Sequence, residues 1–593
     1  MLQYKPKKVI NSSIKRINMS TIKNIIVLII ALNTFAVFAQ KREKDTIDTD
    51  VVNVVKPYTP TISDAFKVKE IPSLDDSTNT VKKEVKYNIF SIPVASTFTP
   101  AKGKAATVDK EKEPKLYDNY ASLGVGTYTT VLGEVYLNSA VSRTESVGGY
   151  LSYHSSGGGI DNLLLEDHFL TTKLNINYSS NLRDLSWNVD GGFQYQKYNW
   201  YGLPQPYFDG TTANMLDVQH SFYGAHFGGE IDFNDALVKN VNMRFRRFGD
   251  DQNSGENRFI FNTGFDVPIQ GETINTELTL DYIGGNFDRN YYVDEQIKYG
   301  NINVSLAPSY QLKQDDLTVN FGVKFTYLHD NEANRNKFYI YPNFTASYRL
   351  VDEILIAYGG IVGGLQQNSY YDFAEENPYV SPTLFIFPTD EQYNASLGLK
   401  GKLSNSMSYN ISGHYYADRN KALFKSNSVL SGATEDYQYG NSYGIVYDNL
   451  KTYSIAGELN VDVNRNFKLG IKAEYFGYTA DIQEEPWNLP DIKGNLFLDY
   501  QINNHWFAGA GLYYVGERKD QFYEEGTLNP TTPVTVTLDS YFDANVYLGY
   551  KINDQLSIYT KANNMVNKQY ERWFNYPVQG IQFLAGATFQ FDF

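Results

Sequence analysis

The stretch LSWNVDGGFQY, residues 185–195, divides cleanly in two when it is drawn as an extended strand. Leu185, Trp187, Val189, Phe193 and Tyr195 fall on one side, and Ser186, Asn188, Asp190 and Gln194 fall on the other. LTVNFGVKFTY, residues 317–327, repeats the pattern with Leu317, Val319, Phe321, Val323, Phe325 and Tyr327 against Thr318, Asn320, Lys324 and Thr326. A strand of this kind places one face against an apolar medium and the other against water. The alternation recurs at 223–233, 259–267, 274–282, 302–312 and 338–350, and again in seven stretches between 393 and 562. It closes the chain at IQFLAGATFQFDF, residues 581–593, where Phe583, Phe589, Phe591 and Phe593 share a side and Leu584 interrupts the polar one. No helical periodicity separates these runs. The strands are too long and too uniform for a sandwich or a propeller.

The connections alternate in length. Tight polar turns fall around Thr144, Asn181, Asp235, Gln270, Asp315, Asp352, Asn405, Arg465, Asn504 and Asn553, and the links between them are mostly longer. The longest are 365–391, 418–449 and 516–536. Short turns on one rim and long loops on the other are the pattern of an outer-membrane β-barrel. Ten turns and eleven loops join about 22 antiparallel strands, and an even number puts both termini on the tight-turn, periplasmic side. Lipid offers an unpaired backbone no hydrogen bonds, so the last strand, with Phe589, Phe591 and Phe593, has to close on the first, near residues 120–128. Tyr153, Trp187, Tyr195, Tyr282, Tyr327 and Tyr475, near strand ends, would form the interfacial aromatic girdles.

Composition agrees with a two-faced protein. Aromatic residues make up 15 % of the chain, yet the mean hydropathy is −0.41, which excludes a bundle of membrane helices. A net charge of −15 and a pI near 5.1 argue against a nucleic-acid partner, whose phosphates need basic surface. The chain has no cysteine, so a disulfide framework, a thiolate metal site and a lipidated N-terminal cysteine are all excluded.

Residues 1–39 read as a signal peptide. Lys15, Arg16 and Lys23 precede an apolar run from Ile25 to Phe38, and cleavage is expected after Ala39, with Met19 as an alternative start. The run is shorter than the roughly 20 residues of a membrane-spanning helix, which weighs against an uncleaved anchor. Residues 40–116 are rich in Lys, Asp, Glu, Thr and Pro and read as a flexible periplasmic extension, and 117–593 read as the barrel.

Three stretches carry a family resemblance. They are ENPYVSPTLFIFPTDEQYNASLGLKGKL (376–403), YYVGERKD (513–520) and SYFDANVYLGYKINDQLSIYTKANNMVNKQYERWF (540–574). They resemble the barrel of TonB-dependent outer-membrane receptors, in which an Asn-Leu-Phe-Asp-Lys-x-Tyr pattern follows the penultimate strand. Asn564-Met-Val-Asn-Lys-Gln-Tyr570 matches that pattern with substitutions. The resemblance is good over 370–593 and architectural from 117 to 370. It implies transport or uptake across the outer membrane. The family's plug domain is far longer than the interval between Pro57 and Tyr117, so the sequence reads as a receptor barrel apparently lacking its own plug.

Val51, Val52, Asn53, Val54 and Val55 resemble a TonB box, a short strand offered to an energy-transducing partner by strand addition. Docking to a different partner and an unspecific apolar patch are the other readings of this stretch. Asp190, Glu230, Asp232, Arg244, Arg246, Glu277, Asp281 and Lys324 lie on polar faces and are expected to line the lumen, where they bind a ligand or simply keep it wet. His220 and His226 share a face but stand roughly 20 Å apart at about 3.3 Å per residue, too far to share a metal. No nucleophile, phosphate-loop or metal motif is present, so no enzyme and no cofactor is expected. The expected partners are outer-membrane lipid and either a TonB-type protein or a separate plug or complex subunit. The competing reading is a plugless scaffold in a larger outer-membrane assembly or secretion complex.

Overall fold

The structure, a computed structural model, describes residues 115–593 except 205–207, 209, 235 and 524–532. The signal peptide, the extension and residues 51–55 lie outside the described residues. Twenty-two strands form one antiparallel sheet that closes on itself. The first strand, Asn119–Gly126, pairs with the last, Gln582–Phe591, from Asn119 opposite Phe591 to Gly126 opposite Leu584. Asp592 reinforces the seam: its carboxylate accepts from the Asp118 N–H at 3.0 Å and pairs with Lys115 at 2.9 Å. Phe593 follows the strand and is 86 % exposed.

Each strand of the sheet pairs with its neighbours in sequence once two small hairpins that stand outside it, Arg518–Tyr523 with Pro533–Leu538 and Glu571–Trp573 with Tyr576–Pro577, are set aside. All ten tight turns fall where the polar punctuation places them. At the turn between Gly255–Ile269 and Glu272–Phe287, both Gln270 (φ 54°) and Gly271 (φ 92°) adopt the left-handed conformation that matches strand twist in a two-residue hairpin. The apolar face points outward. Ile340, Leu397 and Ile455 are 71, 73 and 62 % exposed, an arrangement that only a lipid solvent stabilises. Among the described residues no helix is long and apolar enough to cross a membrane.

The loop rim departs from the sequence expectation in three places. Met407–Ser426 and Tyr443–Asn464, of 20 and 22 residues, rise well past the 9–11 residues a membrane strand needs, so the loop expected at 418–449 is reduced to 427–442. Alternation fails there because a bulge between Asp418 and Lys421 shifts the register as the ribbon leaves the bilayer. The region expected as the loop 516–536 contains a hairpin of Arg518–Tyr523 with Pro533–Leu538. Residues 367–388, expected as a surface loop, contain a short helix, Tyr370–Glu376.

Leu584, the residue that breaks the polar face of the last strand, is buried over two glycines of the first. A Cβ added at Gly124 would lie 2.8 Å from Leu584 Cδ2. One added at Gly126 would lie 2.3 Å from the Phe583 backbone oxygen and 3.1 Å from Leu584 Cα. The backbone cannot yield there without parting the seam, and overpacking of this kind costs about 1–3 kcal/mol. Gly126→Val is therefore expected to remove most of the SDS-resistant, heat-modifiable folded band. Gly133→Val, where the nearest atoms would be 3.9 Å away, is expected to retain it.

Candidate functional site

The segment 367–388 leaves the strand Leu355–Gln366 and returns at Thr389–Ser404, but it reaches strands far around the barrel. Its helix is set by a local signal. Ser369 caps it, with Oγ accepting the Asp372 N–H at 3.0 Å, and at the other end the Asn377 N–H donates to the Phe373 carbonyl at 2.8 Å. A helix of seven residues, about two turns, has little stability alone. Tertiary contacts hold it.

Tyr370 is the central contact. It is fully buried against Phe222, Phe248 and Phe287, at ring-centroid distances of 6.1, 5.3 and 4.9 Å. Its hydroxyl donates to Asp250 at 2.6 Å and its N–H donates to Glu256 at 2.6 Å. Burial, followed by the nearby Asp250 charge, holds the phenol well above its ordinary pKa and keeps it a donor. Each buried aromatic contributes roughly 1.5–3 kcal/mol by area.

Charged contacts surround this anchor. Arg246 donates to Ser369 Oγ at 3.1 Å, approaches Asp372 and Glu256 at 3.6 Å each, and lies 3.7 Å over the Tyr371 ring. Arg258 bridges Asp281 at 2.8 Å and Asp372 at 3.2 Å. Glu375 accepts from Gln196 at 2.7 Å and from Gln194 at 3.2 Å, and pairs with Lys173 at 3.2 Å. These partners sit on strands five to nine places around the 22-strand ring from the strand Leu355–Gln366, so the segment crosses part of the interior.

The remainder of the segment joins two other parts of the rim. The Ser381 N–H donates to the Tyr443 carbonyl at 2.8 Å, and the Tyr443 N–H donates to the Tyr379 carbonyl at 2.9 Å. Tyr379 stacks on Tyr576 of the loop 564–581 with centroids 3.5 Å apart, while Trp573 of that loop meets Phe424 and Tyr443, each at 5.2 Å. The outer hairpin braces the same loop, because Arg518 donates to the Glu571 carbonyl at 2.8 Å and to that of Arg572 at 2.5 Å.

The sequence-predicted polar residues separate into four groups. Arg246 touches the segment directly, and Asp281 does so through Arg258. Asp190 lies deeper, paired with Arg244 at 3.1 Å and His226 at 3.4 Å. Glu277 and Lys324 line one cavity of about 190 Å³, and Glu230 and Asp232 lie towards the tight-turn rim in the strand Gln219–Phe233. Alternation identified none of Tyr370, Asp372, Glu375 or Arg258 as site residues. The sequence Ser369-Tyr-Tyr-Asp372 was the available signal, since Ser-x-x-Asp is a capping box that starts a helix. Among the described residues no group of three or more His, Cys, Asp or Glu side chains is placed to hold a metal ion.

The family model described as "TonB dependent receptor-like, beta-barrel" matches residues 113–565, more than half the chain. The chain belongs to this family. The receptor barrel is similar to the pyoverdine outer membrane receptor FpvA from Pseudomonas aeruginosa, at 13 % identity and a TM-score of 0.59 over 81 % of this chain and 79 % of that one. It is similar to the siderophore receptor PirA from Acinetobacter baumannii, at 12 % identity and a TM-score of 0.59 over 81 % of each chain. It is also similar to the ferric-catecholate import receptor Fiu from E. coli, at 12 % identity and a TM-score of 0.57 over 81 % of this chain and 82 % of that one. Comparison with curated protein sequences gives no match. At these identities the solved structures show the shared outer-membrane receptor fold.

Two predictions follow from the packing at the mouth. In this cysteine-free chain, Ser369→Cys, at a fully buried position, should react with a membrane-impermeant maleimide at under a tenth of the rate of Met215→Cys, whose parent side chain is 73 % exposed. Adding Arg246→Ala and Arg258→Ala removes charge-assisted bonds worth about 1.5–3 kcal/mol each and should raise the Ser369→Cys rate at least tenfold. The second concerns pH. Asp520 in the outer hairpin is fully buried, and burial raises its carboxyl pKa against the N–H groups of Ser426 and Gln521 that lower it. The folded hairpin thus holds the proton more tightly than the unfolded chain, so its stability rises as pH falls through the raised value towards the ordinary carboxylate range. Hydrogen exchange of residues 518–523, corrected for intrinsic rate, should slow on acidification through that window.

Proposed function

We propose that the protein is an uptake receptor of the outer membrane, energised by a TonB-type partner, with the segment 367–388 as the gate of its outer mouth. The observation that carries this reading is the inward segment of a receptor-family barrel, latched by Arg246, Arg258 and Tyr370 to wall strands about a quarter of the way around the ring from its own root. Surface-coat loops have no need of such a crossing. A transport lumen that must stay shut at rest does.

In this reading the tight turns and both termini face the periplasm, and residues 1–39 are removed on export. Residues 40–116 then form the periplasmic extension, and Val51–Val55 offer the strand that the partner grips. Asp190, Glu230, Asp232, Arg244, Arg246, Glu277, Asp281 and Lys324 line the passage, and Phe589, Phe591 and Phe593 belong to the closing strand and its end. The related receptors named above support a bulky solute of the siderophore size class.

The test is whole-cell accumulation of a panel of labelled ferric siderophores and vitamin-sized solutes. Deleting the chain, or only residues 51–55, should lower accumulation of one solute to about a tenth or less. Full accumulation without residues 51–55 counts against the TonB-coupled mechanism. Unchanged uptake of every solute, together with recovery of the barrel in a stoichiometric complex from mild detergent, identifies a scaffold instead.

A further inference from the structure

On the outside of the barrel, at the loop-rim end of the strands Glu145–Ser156, Phe169–Asn181, Leu185–Asn199 and Gln219–Phe233, lies a groove of about 350 Å³. The ladder fixes which way its side chains point. Leu151, Leu174 and Phe193 form one row across three of these strands and are exposed to lipid. Four residues further along, and therefore on the same face, Ser155, Leu170, Lys197 and Ser221 form another row. Tyr153, Thr172, Tyr195 and Tyr223 form the row between them. Three tyrosines side by side on a lipid face mark the level of the headgroups. Chain length agrees, because Leu185–Tyr195 already supplies the 9–11 residues of a spanning strand and Lys197 is the next outward position.

Tyr153, Ser155, Leu170, Lys197 and Gln219 line the groove on the wall, and Thr129 and His168 line it from the loops above. Lys197 puts a cation where the pattern below it is apolar. It is half-buried, and its ammonium makes no ion pair or hydrogen bond among the described residues. The first row continues through Ala225 to Arg247, which is exposed on the same outer face and equally unpaired among the described residues. At about 3.3 Å per residue and 4.8 Å per strand, the two Cα atoms stand roughly 16 Å apart, with Tyr195 and Tyr223 between them.

Carboxylates are kept out of this surface. The chain has a net charge of −15, yet no Asp or Glu lines the groove. At its edge Asp217 accepts from the Gln219 N–H at 3.2 Å, and Asp251 accepts from the Ser221 N–H at 2.8 Å beside His220 Nδ1 at 3.0 Å. A cation on a lipid face is tolerated near the interface, where it can meet an anion, and phosphate oxygens are strong partners for both ammonium and guanidinium groups. A free phosphate has no use for the tyrosines and Leu170 that adjoin these cations. A lipid uses both surfaces.

We infer that this groove holds the head of a phosphorylated glycolipid of the outer leaflet, with Lys197 and Arg247 pairing with its anionic groups and Tyr153, Leu170 and Tyr223 seating the start of its acyl chains. The spacing of the two cations suits a head with two anionic groups. This site does not depend on the uptake reading.

The experiment is native mass spectrometry of the full-length protein, released from detergent after incubation with diphosphorylated lipid A, its dephosphorylated form or phosphatidylglycerol. At least one diphosphorylated lipid A should stay bound at a collision energy that strips the other two. Lys197→Gln and Arg247→Gln should each lower the retained fraction at least threefold, and the two together at least tenfold. Lys402→Gln, on the tight-turn side, should leave it unchanged, and every variant should keep heat-modifiable gel mobility. Equal retention of the dephosphorylated form or of phosphatidylglycerol overturns the inference, and so does retention that the paired substitution does not lower. Displacement of the lipid by inorganic phosphate alone would show a free-anion site and overturn it as well. If the paired variant does not fold, the comparison of the three lipids on the unaltered protein decides.

Discussion

Lipid supplies no hydrogen bonds, and the rest of this structure depends on that deficit. Each N–H and C=O at membrane depth must find a partner in the chain, so a sheet made of hairpins has to return to its own first strand. The seam of Asn119–Gly126 with Gln582–Phe591 meets that demand, and it constrains the sequence on both sides. Two glycines on one side accommodate Leu584 and the Phe583 backbone on the other. A side chain that looks misplaced in the alternating pattern is there to fill the space those glycines leave.

Alternation made the membrane part of the fold readable because a two-residue period under a two-solvent boundary leaves few alternatives. The turns were equally readable, since Gln270-Gly271 and the Asp-rich corners carry their own backbone requirements. The loop rim was not. Above the bilayer both faces of a strand meet water or other loops, so the period no longer reports burial, and Met407–Ser426 and Tyr443–Asn464 continue through residues that read as loop. The contacts of the gate are also illegible in one dimension, because Tyr370 and Asp250 are 120 residues apart and each is ordinary in its own context. Ser369-x-x-Asp372 did announce a helix start. What it could not announce was that the helix points into the barrel.

Charge placement follows the same logic. Where Glu256 is buried, Arg246 and the N–H and O–H donors of Tyr370 and Tyr299 surround it, as the cost of burying a lone carboxylate requires.

The gate segment also bears on the mechanics of the barrel wall. It is rooted between the strands Leu355–Gln366 and Thr389–Ser404 and fastened to Lys173, Gln194, Gln196, Arg246 and Arg258, about a quarter to two-fifths of the way around the ring. It therefore works as a tie across the mouth, resisting flattening of the ring along that line. Releasing those contacts would free the rim to ovalise, so the stiffness of the wall depends on whether the segment is docked.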